Sequence, residues 1–390
     1  MDAFGLSAAQ IDRAGAHWTA REVLQQPRIW SETETLIAQQ SERLRAFLKP
    51  LLETPNLRIV LTGAGTSAFI GECLAPALAR ALDTRVDAVA TTDLVASPRS
   101  FLSPKAPTLI VSFGRSGNSP ESVAALEISD AALEHCSHLI FTCDASGALY
   151  GRANGSAHAL AVLLPEDSND RSFAMTSSFS GMLWAAALAL RAVPPGGDRV
   201  AELSALAQQV LPGSLPRIEE LIDQRFERVV YLGSKEFKGL AREAALKMLE
   251  LTDGRVVAVA DSPLGFRHGP KTVLNDATLV VVFVSSEEYT RQYDLDLLRE
   301  LRSDGVAARV VAVTARAEGG TDADDLVLTK TRHGPELSDL ELCLPYAMFA
   351  QSLALLRSIS LGVRPDNPNA AGTVSRVVKG VSIHPWRNGA

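Results

Sequence analysis

Residues 58–113 run almost in register with residues 228–283, at a constant offset of 170 (228 minus 58). Arg58-Ile59-Val60-Leu61-Thr62-Gly63 lies over Arg228-Val229-Val230-Tyr231-Leu232-Gly233. Arg85-Val86 lies over Arg255-Val256, and Thr108-Leu109-Ile110-Val111-Ser112-Phe113 over Thr278-Leu279-Val280-Val281-Val282-Phe283. Solenoid repeats are about 20–50 residues long, so a spacing this large points to a duplicated domain. Each copy holds short apolar runs separated by helical patterns, the alternation of a parallel sheet covered on both faces.

Strands are expected near 58–62, 86–90, 108–113, 138–143 and 159–164, with helices near 67–81, 119–134 and 175–193. Pro194-Pro195-Gly196-Gly197 then breaks the chain. After a helix near 199–211, the second copy places strands near 228–232, 256–260, 278–284, 308–313 and 325–329. Its helices fall near 235–252, 289–303 and 337–360. The expected architecture is α/β: two tandem three-layer α/β/α sandwiches, each with a mainly parallel five-stranded, flavodoxin-like sheet. The division expected is a helical arm over 1–47, a first domain over 48–197, a second over 213–361, and a tail over 362–390.

The 390 residues suffice for two domains with their own cores. A net charge of -7 argues against non-specific nucleic-acid binding. Cys73, Cys136, Cys143 and Cys343 lack CxxC spacing and read as reduced thiols, with no metal site expected. Gly181–Leu190 is too short to span a bilayer, and Met1-Asp2-Ala3-Phe4 shows no signal-peptide pattern. The expectation is a cytoplasmic protein with no membrane partner.

Two loops carry the first chemistry. Strand 58–62 runs into Thr62-Gly63-Ala64-Gly65-Thr66-Ser67-Ala68 and then a helix. Small residues let the backbone approach an anion, and the first N–H groups of the helix face it. The same run fits G-x-G-x-x-A, so a dinucleotide site stays open, with Asp83 and Asp87 near the acidic position. The strand at 108–113 runs into Gly114-Arg115-Ser116-Gly117-Asn118-Ser119-Pro120-Glu121-Ser122. Ser119 is placed to cap the next helix and Pro120 to open it. Two such hydroxyl-rich loops can converge on one phosphate ester, whereas a dinucleotide needs only the first.

A second constellation carries acid–base chemistry. Glu243, Lys247 and Glu250 fall at i, i+4 and i+7 of one predicted helix and share a face. Such a face is ordinarily solvated. Here it is followed by Gly265-Phe266-Arg267-His268-Gly269-Pro270, a histidine loop suited to proton transfer near neutral pH. Arg332-His333-Gly334-Pro335 repeats the tetrapeptide without a partner helix and reads as a turn.

Gly63-Ala64-Gly65-Thr66-Ser67 with Arg115-Ser116-Gly117-Asn118-Ser119 resembles the sugar isomerase (SIS) domain, which binds phosphosugars. The resemblance implies a phosphate site at Gly65, Thr66, Ser67, Arg115, Ser116, Gly117 and Ser119. In the second copy, Gly233-Ser234-Lys235-Glu236-Phe237 and Val284-Ser285-Ser286-Glu287 replace these loops, so the duplicated site has diverged. Leu246-Lys247 to Glu250, with His268-Gly269-Pro270, resembles the isomerase half of glutamine–fructose-6-phosphate transaminase. By that match Glu250 moves a proton between C1 and C2, His268 opens the sugar ring from across a dimer interface, and Lys247 lies in the same site. With Met1 first and no early nucleophilic cysteine, no glutaminase half is expected. Arg376 and Lys379 are candidates for the residues that close the site. Asn369 stands where an arginine is expected there.

Thr19 to Pro27, Trp30, Tyr289 to Asp294, Asp366-Asn367-Pro368 and Val374 to Val378 are similar to the AgaS-type proteins. That resemblance implies deamination of galactosamine 6-phosphate to tagatose 6-phosphate and ammonia. Enolisation beside a carbonyl requires no cofactor. The alternatives are a plain ketose/aldose phosphate isomerase and a non-catalytic phosphosugar-binding regulator, against which no helix-turn-helix is seen. A homodimer or higher homo-oligomer is expected.

Overall fold

The computed structural model describes residues 3–194, 198–316, 322, 325–328, 334–376 and 380–386. It holds two five-stranded sheets. The first contains β1 (Arg58–Thr62), β2 (Arg85–Ala88), β3 (Thr108–Gly114), β4 (Cys136–Thr142) and β5 (Ala159–Leu163). The second contains β6 (Arg228–Gly233), β7 (Val257–Asp261), β8 (Thr278–Phe283), β9 (Arg309–Thr314) and β10 (Leu326–Val327).

Their strand orders are β2-β1-β3-β4-β5 and β10-β9-β8-β6-β7, the same order written from opposite edges. All named pairs are parallel. Arg58 pairs with Thr108 in the first sheet and Arg228 with Thr278 in the second, so the duplication holds at the level of register.

Contacts divide the chain into two units. One comprises Ile29–Asp170, Ser177–Pro195 and Gly372–Ala390, and the other Met1–Arg28, Arg171–Thr176 and Gly196–Ala371. The first contains the first sheet. Its central strands are buried along their length because helices cover both faces. Val60, Ile110 and Ile140 pack on one face with Leu94, Ala125 and Ile128. Phe113 and Phe141 stack at 5.7 Å. The helix Ser177–Ala189 is buried nearly all round, as its uniform apolarity requires. Asp170 receives the Ser177 and Ser178 N–H groups at 3.0 and 2.9 Å, capping that buried end.

The other unit contains the second sheet. Val230, Val280 and Ala312 pack with Phe266, Leu297 and Leu298 on one face. The 22-residue helix Asp339–Ser360 is long and apolar enough to cross a membrane, but 94% of its apolar window is buried inside the protein. It is a core helix. Asp366 ties the N-terminal segment to this unit, accepting the Thr19 N–H and hydroxyl at 2.8 and 2.7 Å.

Candidate active site

The first sheet reverses direction between β1 and β3. From β1 the chain crosses to β2 on one side, and from β3 to β4 on the other. Right-handed crossovers then put the two following helices on opposite faces, and their N-termini meet beyond the C-terminal ends of β1 and β3. Thr62 pairs with Ser112 there, so the two hydroxyl-rich loops are neighbours. This is where an open α/β sheet binds an anionic ligand.

The first loop is a tight turn. A Cβ on Gly63 would stand 2.6 Å from the Ser67 backbone, so the approach of strand to helix requires glycine. Gly65 caps the helix Thr66–Leu82 at φ 56, ψ -127. Thr66 and Ser67 follow in its first turn and are buried. In the second loop, Ser119 caps the helix Pro120–Ala132 by accepting the Ser122 N–H at 3.3 Å. Its hydroxyl also meets the Ser122 hydroxyl at 2.5 Å. Ser116 Oγ accepts the Asn118 N–H at 3.3 Å, and Asn118 Oδ1 accepts the Ala148 N–H at 3.0 Å. The two loops thus set serine, glycine and helix N–H groups at the ends of neighbouring strands.

Arg115 is buried and is tied to the C-terminal segment. Its guanidinium donates to the Arg376 carbonyl at 3.1 Å, and its own carbonyl accepts the Cys143 N–H at 3.1 Å. Arg376 in turn donates to the Asp170 carbonyl and, at 3.4 Å, to Asn169. The structure gives Arg376 this bracing role around Arg115. Lys379 and the Arg332-His333 pair lie outside the described residues.

The second sheet keeps the turn and discards the cradle. Lys235 caps the helix Glu236–Leu251 at φ 53, ψ -121, the conformation Gly65 adopts in the first copy. A Cβ on Gly233 would stand 2.4 Å from the Phe237 carbonyl oxygen, as crowded as at Gly63. The matching crevice is filled from within by two aspartates. Asp294 accepts from the Ser234 hydroxyl at 2.6 Å and the Ser285 N–H at 2.9 Å. Asp339 accepts from the Ser285 hydroxyl at 2.5 Å and from the Ser286 N–H and hydroxyl, both at 2.7 Å. Lys235 adds an ion pair to Asp339 at 3.5 Å. Internal carboxylates satisfy the donors that an external anion would otherwise take.

The acid–base face lies on the helix Glu236–Leu251. Lys247 bonds Glu250 and stands 3.5 Å from Glu243. Lys247 and Glu243 are each 1% exposed, so the solvated-face alternative does not hold. The Glu250 side chain keeps 25% exposure, which leaves it accessible to a small molecule. It sits in the last turn, where the helix dipole opposes a carboxylate and the Lys247 ammonium counters it.

The histidine loop is clamped at its flanks. Arg267 donates to Glu300 at 2.8 Å, and Lys271 meets Glu300 and Asp304 at 2.5 Å each. Between them His268 is exposed, and its imidazole makes no hydrogen bond among the described residues. The helix Glu236–Leu251 starts at the C-terminal end of β6 and runs back along the sheet. Its 16 residues span about 24 Å. Glu250 therefore sits near the N-terminal edge of the sheet, on the face where Phe237, Tyr231, Phe283 and Tyr346 pack together. The histidine loop covers the other face, where Phe266 packs with Val230, Leu297 and Leu298. One chain does not bring the two together.

The four cysteines are free, as read from their spacing. Burial pushes the Cys136 and Cys143 thiols up to about 12, so both stay protonated at neutral pH.

A SIS domain model matches residues 51–192, the stretch holding both cradle loops. The D-galactosamine-6-phosphate deaminase AgaS of Escherichia coli is 48% identical over 373 residues, covering 95% of this chain and 96% of its own. The chain belongs to the AgaS family. A further AgaS, from Shewanella sp. (strain ANA-3), is 41% identical over 384 residues, 98% of this chain and 95% of its own. Among solved structures, tagatose-6-phosphate ketose/aldose isomerase from Escherichia coli superposes with a TM-score of 0.86 at 44% identity, covering 95% of this chain and 97% of that one. The AgaS kinship, spanning both sheets, extends the likeness well beyond the cradle.

Proposed function

We propose that this AgaS-family chain converts galactosamine 6-phosphate to tagatose 6-phosphate and ammonia. The observation that carries the reading is the 48% identity, over 95% of this chain, to a protein named for that deamination, and two hydroxyl-rich loops at a sheet switch point support a phosphate site there. In this reading residues 48–197 hold the phosphate through Thr66, Ser67, Ser116 and Ser119. Residues 213–361 move the proton. His268 opens the pyranose, and Glu250 removes the C2 proton of the open-chain amino-aldehyde. The electron pair forms the C1–C2 double bond, and negative charge passes to the C1 oxygen near Lys247. Protonation of that oxygen and return of the proton to C1 give a hydroxymethyl group and a C2 imine. Water adds at C2 and ammonia leaves, yielding the ketose.

The geometry of the second sheet supports a homodimer in which His268 serves the partner's Glu250. We place the enzyme in the cytoplasm, where phosphorylated sugars are held.

The test is simultaneous assay of ammonia and ketose phosphate from galactosamine 6-phosphate and from glucosamine 6-phosphate. Equal amounts of both products from the galacto epimer are expected. The solved relative named as a ketose/aldose isomerase keeps one rival reading alive. Interconversion of tagatose 6-phosphate with its aldose, without ammonia from either amino sugar, would establish that rival.

A further inference from the structure

A pocket of about 760 Å³ opens at the N-terminal edge of β6 and β7. That is the edge opposite the switch-point crevice of the same sheet. Four arginines line it: Arg225 and Arg228 at the entry to β6, Arg255 at the entry to β7, and Arg357 from the end of the helix Asp339–Ser360. Asp223 and Glu227 are the acidic residues of the lining, so four positive charges face two negative ones. The excess is notable in a chain of net charge -7.

None of the four arginines makes an ion pair among the described residues. Their hydrogen bonds go to neutral acceptors instead. Arg228 donates to the Val273 carbonyl at 3.0 Å, and Arg255 to the Leu361 carbonyl at 2.9 Å. Arg357 donates to the Phe226 carbonyl at 2.7 Å and lies 4.8 Å over the Phe226 ring. It is only 6% exposed, and its Nε is buried with no acceptor. Burial and, after it, the charge of Arg225 lower its pKa from the ordinary arginine value. A buried unpaired donor and crowded like charges both disfavour the folded chain. An anion in the pocket relieves both at once.

We infer that this pocket binds a small polyanion, a phosphorylated metabolite with at least two negative charges, through Arg357 and the guanidinium forks of Arg225, Arg228 and Arg255. Arginine forks match phosphate oxygens two at a time, and the apolar bed under Arg357 holds one of them rigid. The inference is independent of the reaction proposed above.

The experiment is calorimetric titration of the full chain with inorganic pyrophosphate at low salt, where exposed charges are least screened. Arg225 and Arg255 are exposed, so an R225Q/R255Q double variant leaves the core untouched. An unchanged melting temperature would verify this. The expected result is saturable binding that weakens about tenfold or more in R225Q/R255Q and persists in an S67A/S119A variant. Three results would overturn the inference: no binding to the wild type, equal binding to R225Q/R255Q, or loss of binding in S67A/S119A instead. A change of oligomeric state in R225Q/R255Q without pyrophosphate binding would also overturn it, assigning the arginines to contacts between copies.

Discussion

Lys247 shows how far a single side chain constrains the site. It is buried between Glu243 and Glu250, and only Glu250 has access to solvent. Glu250→Gln keeps the shape and removes the proposed base, so kcat is expected to fall about 10²–10⁴-fold, the usual share of a general base. The unfolding curve should stay where it was, and a mutant with full turnover would strip Glu250 of its role. Lys247→Met is expected to act differently, since it leaves the Glu243 carboxylate buried beside an apolar group. Breaking such a pair costs about 3–5 kcal/mol, to be read as a lowered urea midpoint. Gly63→Ala drives a Cβ into the Ser67 backbone and should raise KM for the phosphosugar, because the first turn of the cradle helix must shift. At this scale the sequence was legible by spacing: Glu243, Lys247 and Glu250 do share a face. It did not tell whether that face is wet. Charged residues ordinarily are, and only the packing of Ala244, Ala245 and Met248 alongside reveals the burial.

The elements were the most readable level, because a parallel sheet covered on both faces leaves unbroken apolar runs. The register of Arg58 with Thr108 repeats as Arg228 with Thr278, which is the offset seen in the primary structure. Ser119 caps its helix as its place before Pro120 implied. What escaped notice is the filling of the second crevice. Asp294 is remote in sequence from Ser234, and Asp339 from Ser285, and no local pattern announces that they fold back.

That filling has a pH signature. Burial, with Asp339 adding to it, raises the Asp294 carboxyl to about 6, although bonds from Ser234 and Ser285 pull the other way. Over about pH 4–6 the folded chain holds a proton that the unfolded chain has released, so this group makes stability fall as pH rises through that window. Asp294→Asn removes the titration. Its melting temperature relative to wild type should therefore climb between pH 4 and 6 and level off above. A difference that stays flat across the range would refute the assignment, whatever constant offset the lost Ser285 bond introduces.

For the whole molecule, the decisive question is which chain supplies His268. Glu250 and His268 lie on elements covering opposite faces of one sheet, so the proposed site needs two copies. Mixing E250Q with H268A, each inactive alone, should restore about a quarter of wild-type activity after subunit exchange. Half the dimers would be mixed, and one of their two sites intact. No recovery, with exchange verified by differential labelling, would place both residues' chemistry within one chain or discard His268. The association of copies left no trace in strand periodicity, which reports what is buried within a chain. It is the exposure of His268 that raises it.

Lys235 carries a further meaning. A lysine there holds a backbone conformation that glycine occupies in the sister copy, and that an ordinary side chain adopts at a cost of about 1–3 kcal/mol. Its ammonium now serves the internal carboxylates, meeting Asp339 at 3.5 Å, where glycine in the sister copy leaves the turn open. The simplest history is that an ancestral single unit already gripped an anion there, and that one descendant later grew its own carboxylates into the vacancy. The turn would then be older than the division of labour, and one half of this enzyme would be a former binding site now serving as scaffold.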